Sequence, residues 1–156
     1  MKTNSVSIGN SGEYFVAAEL ERRGFTAAVP MSNTKDFDIL AINRETLRQV
    51  ALQVKTNRGK DKQWILNKKC ENLKGDHIYY VLLCLNDFEQ PEYYIVESEL
   101  IAKSVKIGHD LWLNTEGKHG KRQETTMRKF TFNTSEYDNV LGLNGEDYKD
   151  NWDKLK

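Results

Sequence analysis

The segment DFDILAINRETLRQVALQVKT, residues 36–56, decides the fold because it holds two apolar runs on either side of a polar turn. Residues 36–43 start with acidic side chains and continue as Ile-Leu-Ala-Ile, and residues 49–56 contain a second apolar run. Aliphatic runs of this length, separated by a short polar stretch, predict two β-strands joined by a tight turn. Such strands are expected to be antiparallel neighbours.

An amphipathic helix is predicted before these strands, over residues 11–23. Gly24 follows it, at the position where a left-handed C-terminal cap is common. Residues 25–30 predict a short strand and residues 31–35 a turn. The helix followed by three closely connected strands therefore predicts an antiparallel meander with the helix packed on one face. The apolar face of the helix is expected to comprise Phe15, Val16, Ala17, Ala18 and Leu20.

The chain after residue 56 predicts further elements of both kinds. Residues 57–62 form a polar loop, and a short helix is expected within residues 65–73. Residues 77–85, HIYYVLLCL, are the most apolar run and predict the central buried strand, and residues 93–96 predict another strand. The remaining expectations are a helical turn or two at 97–103, a loop at 109–121, an edge strand at 129–133, and short helices at 134–156.

Composition limits the class of protein. A chain of 156 residues is long enough for one domain with a hydrophobic core, so we expect a single domain over residues 1–156, with residues 134–156 as an acidic helical cover. The 23 basic and 23 acidic residues cancel, which argues against a surface built entirely to coat nucleic acid. The N-terminus lacks the apolar stretch of a signal peptide, and no segment approaches the ~18 apolar residues of a membrane helix. We therefore expect a cytoplasmic protein without a membrane partner.

Cysteine and histidine give no metal signature. Cys70 and Cys84 do not have a zinc-site spacing, and Cys84 lies within an apolar run, as a buried small hydrophobic residue would. His77, His109 and His119 are dispersed, which does not predict a zinc site.

Three polar residues on the two central strands predict a reactive site. Asp38 directly precedes the apolar run Ile-Leu-Ala-Ile, where a carboxylate is costly unless something neutralises it. Gln53 and Lys55 are two residues apart, so their side chains leave the same face of a strand. If the strands pair, a divalent cation held by oxygen ligands beside an ammonium group could polarise a phosphodiester and activate water.

The order of these residues, together with the Gly12-Glu13 pair in the first helix, resembles the PD-(D/E)xK nuclease superfamily. More narrowly it resembles restriction-endonuclease-like and junction-resolvase-like members that carry QxK in place of ExK. The resemblance covers residues 10–56. It implies an α/β (α+β) fold with an αβββαβ core, in which a mixed central sheet is flanked by helices. It also implies Mg²⁺ or Mn²⁺ as the cofactor and DNA cleavage as the activity.

Carried over by motif position, the resemblance implies a role for each site residue. Asp38, Gln53 and Glu13 would be metal ligands, and Lys55 would be the catalytic lysine. Asp36 competes with Asp38 for the acidic position, since the two lie on the same strand face. Because Gln53 stands where these nucleases usually have a glutamate, the expected metal ligands carry one negative charge fewer.

Each of these residues also has an ordinary structural reading. Glu13 could close a capping box with Asn10 at the start of the helix. Asp38 could cap a turn, and Asp36 could be a turn residue. Lys55 could be an edge-strand lysine that discourages pairing with other chains.

Basic residues are concentrated after the predicted site. The residues expected to contact nucleic acid are Arg58, Lys60, Lys62, Lys68, Lys69 and Trp64, the last through base stacking. A solvated loop with a core tryptophan is the alternative reading of this stretch. A second basic stretch contains Lys118, Lys121, Arg122, Arg128 and Lys129.

Two functions are consistent with this pattern. The favoured hypothesis is a metal-dependent nuclease that hydrolyses DNA phosphodiester bonds; the sequence does not distinguish DNA from RNA as the substrate. The alternative is a catalytically inactive nuclease-like fold that serves as a nucleic-acid-binding or protein-interaction module. A homodimer is compatible with a nuclease of this size.

Overall fold

The N-terminal helix is longer than the sequence predicts. The computed structural model describes residues 4–30, 37–118 and 120–156, and in it α1 spans Ser5–Arg22. The side chain of Asn4 accepts a hydrogen bond from the backbone N–H of Ser7 at 2.8 Å and caps the helix. Gly24 follows with a φ of 89°, as predicted for a left-handed C-terminal residue.

The buried face of α1 differs from the predicted one. Gly12, Val16 and Leu20, each four residues apart, face the sheet. Phe15 was expected to be buried, but 44% of its surface is exposed, because it lies one position away from this row.

The three-stranded meander is confirmed. β1 spans Phe25–Ala28, β2 spans Ile39–Asn43 and β3 spans Gln49–Asn57. β1 pairs antiparallel with β2, and β2 pairs antiparallel with β3. The predicted start of β2 at residue 36 falls outside the described residues.

A crossover then makes the sheet mixed. β4 spans Gln63–Asn67, a 3-10 turn spans Lys68–Glu71, and β5 spans Ile78–Cys84. β5 pairs parallel with β3, and β6, which spans Glu92–Glu97, pairs antiparallel with β5. The strand order is β1-β2-β3-β5-β6, and every residue of β5 is buried, as its apolar composition predicts.

The expectation of a helix at residues 65–73 is largely wrong. Residues 63–67 form a strand because Trp64 and Leu66 alternate with exposed neighbours, which is the two-residue period of a half-buried strand. Only a single 3-10 turn lies where the αβββαβ pattern has its second helix. The mixed α/β class with helices on the sheet is nonetheless confirmed.

The second helix comes after β6. α2 spans Ser98–Asn114, so the prediction of a helical turn or two at 97–103 was too short, and the loop predicted from residue 109 begins later. β7 spans Met127–Thr131 and pairs antiparallel with β4. We call this two-stranded unit the β4–β7 ribbon. The strand predicted at residues 129–133 is thus present two residues earlier, in this ribbon and not at the edge of the five-stranded sheet.

Two hydrophobic clusters cover the two faces of the five-stranded sheet. One lies under α1 and includes Val16, Leu20, Ile39 and Leu52. The other lies under α2 and the β4–β7 ribbon and includes Leu82, Ile101, Trp64, Phe130 and Tyr80. The sheet is therefore the middle layer, and the face that carries the ribbon is also the face toward which the residue pair Gln53 and Lys55 points.

The C-terminal segment packs on both sides of the sheet, since Tyr148 is buried in the cluster under α2 and the ribbon and the last residues lie on the α1 side. The short helices predicted for residues 134–156 are 3-10 turns at Gly145–Asp147 and Trp152–Leu155. Trp152 and Leu155 are buried in the cluster under α1. Within the described ranges, neither helix is both long enough and apolar enough to cross a membrane.

Candidate active site

Asp38 is held at the entrance of β2 by two backbone contacts. Its own N–H donates to the carbonyl of Leu52 at 2.9 Å, and its Oδ2 accepts from the N–H of Val54 at 2.7 Å. The carboxylate therefore continues the hydrogen-bond ladder where the β2 backbone ends. This arrangement fixes the side chain and leaves Oδ1 as its other acceptor oxygen.

The strand register places Asp38 next to Gln53. Ile39 pairs with Leu52, so the preceding residue, Asp38, stands opposite Gln53. In the parallel pairing with β5, Gln53 lies beside Tyr80 and Lys55 lies beside Leu82. Residues two apart in a strand share a face, so Gln53 and Lys55 both point toward the ribbon side of the sheet. Gln53 and Lys55 are half-buried.

Glu13 reaches the same region through the close packing of α1 on β3. Gly12 is buried against Thr56, where an added Cβ would lie 1.9 Å from Thr56 Oγ1. The helix begins at Ser5, so Glu13 lies well inside it. The capping-box reading of Glu13 is therefore wrong, because the helix cap is Asn4.

Electrostatic coupling indicates that Glu13, Asp38 and Lys55 are near one another. Burial raises the pKa of the Glu13 carboxyl above its ordinary value, and the negative charge of Asp38 raises it further. The positive charge of Lys55 opposes both effects. Two carboxylates that repel each other beside an ammonium group form a site suited to a cation.

Two clefts meet at Lys55, which lines both of them. The first has a volume of about 370 Å³ and the second about 420 Å³. Besides Lys55, the polar lining of the first includes Gln53, Asn67, Lys69 and Asn72. The polar lining of the second includes Ser5, Asn57, Arg58 and Gln63. An extended polar substrate could therefore pass Lys55 on both sides.

The donor set fits a hard divalent cation. Glu13 and Asp38 supply carboxylate oxygens and Gln53 supplies an amide oxygen, and Mg²⁺ commonly takes only one or two carboxylates together with waters and substrate phosphates. In the described part of the chain, no group of three or more His, Cys, Asp or Glu side chains is arranged to hold a metal. A metal here would thus depend on few protein ligands. Asp36 lies outside the described residues.

Most of the cations predicted to contact nucleic acid are exposed and near acidic residues. Ion pairs join Arg58 to Asp87 at 3.1 Å and Lys60 to Glu89 at 2.9 Å. Lys62 and Lys68 approach Glu146 and Glu124 at 3.5 and 3.6 Å, respectively. Exposed ion pairs of this kind contribute little and are readily exchanged, so they leave these side chains able to meet a phosphate.

Trp64 cannot stack on a base as the sequence suggested. Only 2% of its surface is exposed, and its indole N–H donates to the carbonyl of Leu83 at 3.1 Å. The alternative reading of Trp64 as a core residue is the correct one.

Arg128, in the second basic stretch, is likewise unavailable for contact with nucleic acid. It is buried and pairs with Glu71 at 2.5 Å and with Glu124 at 3.1 Å. His119 of the dispersed histidines lies outside the described residues.

Sequence reasoning missed several residues that line the two clefts. Asn67 and Gln63 belong to β4; Asn67 falls in the stretch where a short helix was expected, and Gln63 lies between that stretch and the predicted loop. Tyr80 was assigned only to the core, yet it lines the first cleft beside Lys55. Cys70 lines the same cleft, and burial raises the pKa of its thiol to about 11, which keeps it protonated at neutral pH.

Comparisons with known proteins bear on the fold. No protein-family model and no curated protein sequence matches this chain. Among solved structures, the bacterial homing endonuclease I-Ssp6803I is similar, with a TM-score of 0.55, 8% sequence identity and coverage of 97% of this chain and 91% of that one. Hjc, a Holliday junction resolvase from Archaeoglobus fulgidus, gives a TM-score of 0.47, 18% identity and coverage of 87% and 90%. The likeness to the homing endonuclease shows that the chain has a restriction-endonuclease-like fold.

Proposed function

We propose that this protein is a metal-dependent nuclease that hydrolyses DNA phosphodiester bonds. The observation that supports this most strongly is that Glu13 and Asp38 lie close enough to Lys55 to interact electrostatically, while Gln53 stands opposite Asp38 and Lys55 lines two clefts. Likeness to a homing endonuclease in fold is consistent with this function.

The roles of the side chains follow from their chemistry and position. Asp38, Glu13 and Gln53 would hold Mg²⁺ or Mn²⁺ through oxygen atoms. When bound, the cation would polarise the phosphodiester and lower the pKa of a coordinated water. The hydrogen bond from the N–H of Val54 keeps Oδ2 of Asp38 in place, and Oδ1 would be the oxygen that binds the cation.

Lys55 stabilises the negative charge that develops on the phosphate. Its side chain stands on the same strand face as Gln53, two residues away, between the two clefts. A preorganised positive group aimed at developing charge lowers the barrier by ~3–4 kcal/mol, which is a loss of about 100- to 1,000-fold in rate when it is removed.

A nucleic-acid substrate is supported by the exposed cations that flank the clefts. Arg58 and Lys69 line the second and first clefts, on opposite sides of Lys55. Backbone phosphates entering from either side would therefore meet a cation before reaching the site.

The test is cleavage of supercoiled plasmid and of single-stranded DNA in Mg²⁺ or Mn²⁺. We expect the unaltered chain to cut, and Asp38→Ala, Lys55→Ala and added EDTA each to abolish cutting. Thr26→Ala, at an exposed position of β1 on the far edge of the sheet, is the matched control and should cut normally. Full activity in Lys55→Ala would exclude the proposed role of this lysine.

The inactive module is the second candidate, and the loss of one negative charge at Gln53 favours it. A folded chain that cuts neither substrate and releases no heat with millimolar Mn²⁺ in calorimetry would establish this reading. Mn²⁺ binding that disappears in Asp38→Ala would support the nuclease instead.

A further inference from the structure

Arg128 is a buried cation on the core-facing side of β7. Only 2% of its side chain is exposed. Its Nε donates to Glu71 at 2.5 Å, and its Nη1 donates to the carbonyls of Thr125 at 2.7 Å and Met127 at 3.0 Å. Its Nη2 donates to Glu124 at 3.1 Å. All three guanidinium nitrogens therefore have acceptors, which is what a buried charge requires.

Glu71 connects this cation to the short turn between β4 and β5. It is the last residue of the 3-10 turn Lys68–Glu71, and 11% of its side chain is exposed. At the other end of the turn, Lys68 lies 3.6 Å from Glu124, but both of these side chains are about half exposed. An exposed pair contributes little, whereas a buried pair interacts strongly in the low dielectric of the interior. The contact with Arg128 is therefore the main ionic constraint on the turn.

The same turn forms one wall of the first cleft. Lys69 and Cys70 from the turn, and Asn72 directly after it, line this cleft together with Lys55 of β3. Arg128 is not among the described residues that line the first cleft. It can therefore affect a substrate in this cleft only through the segment that it holds.

From these contacts we infer that Arg128 is a positioning residue, which fixes the Lys68–Glu71 turn and thereby the side chain of Lys69 beside a substrate phosphate. The inference rests on the proposed nuclease function for the nature of the substrate. The acceptors around Arg128 explain why this residue is an arginine. A lysine would keep the charge, but its single nitrogen cannot reach acceptors that are spread along the edge of a guanidinium group.

Chemical labelling of Cys70 tests the positioning without any nucleic acid. Cys70 lies within the turn and is 5% exposed, and Cys84 of β5 is fully buried. Arg128→Lys should raise the rate at which iodoacetamide modifies Cys70 by about tenfold or more, because the turn opens locally. Peptide mass spectrometry assigns the label, and the rate at Cys84 should not change. Equal acceleration at both cysteines would show a loosening of the whole fold and would overturn the inference.

A milder variant and a matched control complete the labelling experiment. Glu71→Gln keeps an oxygen that can accept from Arg128 but loses the charge, so Cys70 should be labelled about threefold faster, and this variant decides if Arg128→Lys does not fold. Asp138→Asn is the control, because it weakens the 2.6 Å pair with Lys129 on the opposite side of β7. It should leave both labelling rates unchanged. Acceleration by Asp138→Asn as large as that by Glu71→Gln would overturn the inference.

The salt dependence of DNA binding tests whether the turn acts through Lys69. Arg128 is buried, and its replacement by lysine leaves the net charge of the chain unchanged. In EDTA, Arg128→Lys should nevertheless reduce the slope of log affinity against log salt concentration by ~0.9, the value for one lost phosphate contact. Combining it with Lys69→Ala should reduce the slope no further than Lys69→Ala alone, because both substitutions remove the same contact. Additive reductions, or an unchanged slope in Arg128→Lys, would overturn the inference.

The outcomes distinguish this inference from the nuclease proposal. In a chain that cuts, Arg128→Lys should raise KM about fivefold and leave kcat nearly unchanged, because the turn holds none of the proposed metal ligands. A chain that never cuts but shows the expected labelling rates and salt slopes would refute the nuclease proposal and retain the positioning role. Cleavage with an unchanged KM and an unreactive Cys70 in both variants would do the reverse. A chain that binds no DNA would overturn both proposals.

Discussion

Gly12 of α1 and Thr56 of β3 are in such close contact that a Cβ on Gly12 would lie 1.9 Å from Thr56 Oγ1. No side chain other than hydrogen fits at Gly12 without a shift of the helix or the strand. The neighbouring residues in sequence, Glu13 and Lys55, are the helix carboxylate and the lysine of the proposed site. The contact between Gly12 and Thr56 thus sets the distance between the Glu13 carboxylate and the sheet.

Gly12→Ala is expected to destabilise the protein and to reduce its activity. The added methyl group forces α1 away from β3, and overpacking of this kind costs ~1–3 kcal/mol. Gly9→Ala is a matched control in the same helix, since nothing lies within 4 Å of a Cβ there, and it should stabilise by ~0.5–1 kcal/mol. Urea denaturation measures the free energy of unfolding of both variants. Equal effects of the two substitutions would contradict the close contact.

Asp38 has a structural and a chemical role that two substitutions can separate. Asp38→Asn retains an oxygen that accepts from the N–H of Val54, so the free energy of unfolding should change little. Asp38→Ala leaves that N–H without its acceptor and should cost ~1–3 kcal/mol. Both should lose cleavage, because both lack the carboxylate. An active Asp38→Asn variant would show that the charge is not required.

Local patterns were sufficient to predict the part of the fold that carries the site. The helix, Gly24 and the three-stranded meander follow from apolar periodicity and turn residues between positions 11 and 56. The antiparallel pairing of β2 and β3, on which the clustering of Asp38 and Gln53 depends, follows from the short turn between them.

The β4–β7 ribbon could not be predicted in this way. Its strands are separated in sequence by β5, β6 and α2, and each has only five residues. A short strand gains its stability from its partner and from packing, and neither is visible in a local window. For the same reason the sequence left the burial of Trp64 undecided, because the carbonyl it binds, that of Leu83, belongs to a distant strand.

The raised pKa of Glu13 predicts how its removal affects stability at different pH values. A carboxyl whose pKa is higher in the folded protein than in the unfolded chain favours folding below the unfolded pKa, and this contribution is lost as the pH rises through the folded pKa. Glu13→Gln should therefore be more stable than the unaltered chain at pH 7. The difference in the free energy of unfolding between the variant and the unaltered chain should fall to zero or reverse below pH 4.5, the ordinary pKa of a glutamate carboxyl. A larger advantage at pH 4 than at pH 7 would contradict the burial of Glu13.

Lys69 is expected to contribute to DNA affinity through a phosphate contact. It is exposed and lines the first cleft beside Lys55. Lys69→Ala should reduce the slope of log affinity against log salt concentration by ~0.9, the value for one lost phosphate contact. Lys156→Ala, on the side of the sheet covered by α1, is the control and should leave the slope unchanged. Fluorescence anisotropy of a labelled duplex at several salt concentrations gives both slopes.

Trp64 should behave as a core residue and not as a base-stacking one. Trp64→Phe removes the indole N–H that binds the carbonyl of Leu83 and leaves space beside a smaller ring, and the lost hydrogen bond and packing should together cost ~1–3 kcal/mol in the free energy of unfolding. Phe88→Leu is a surface control, since Phe88 is 98% exposed, and it should have no such effect. The folded Trp64→Phe protein should bind DNA with unchanged affinity, because no face of the ring reaches solvent. Unchanged stability together with weaker DNA binding would place Trp64 on the nucleic-acid surface after all.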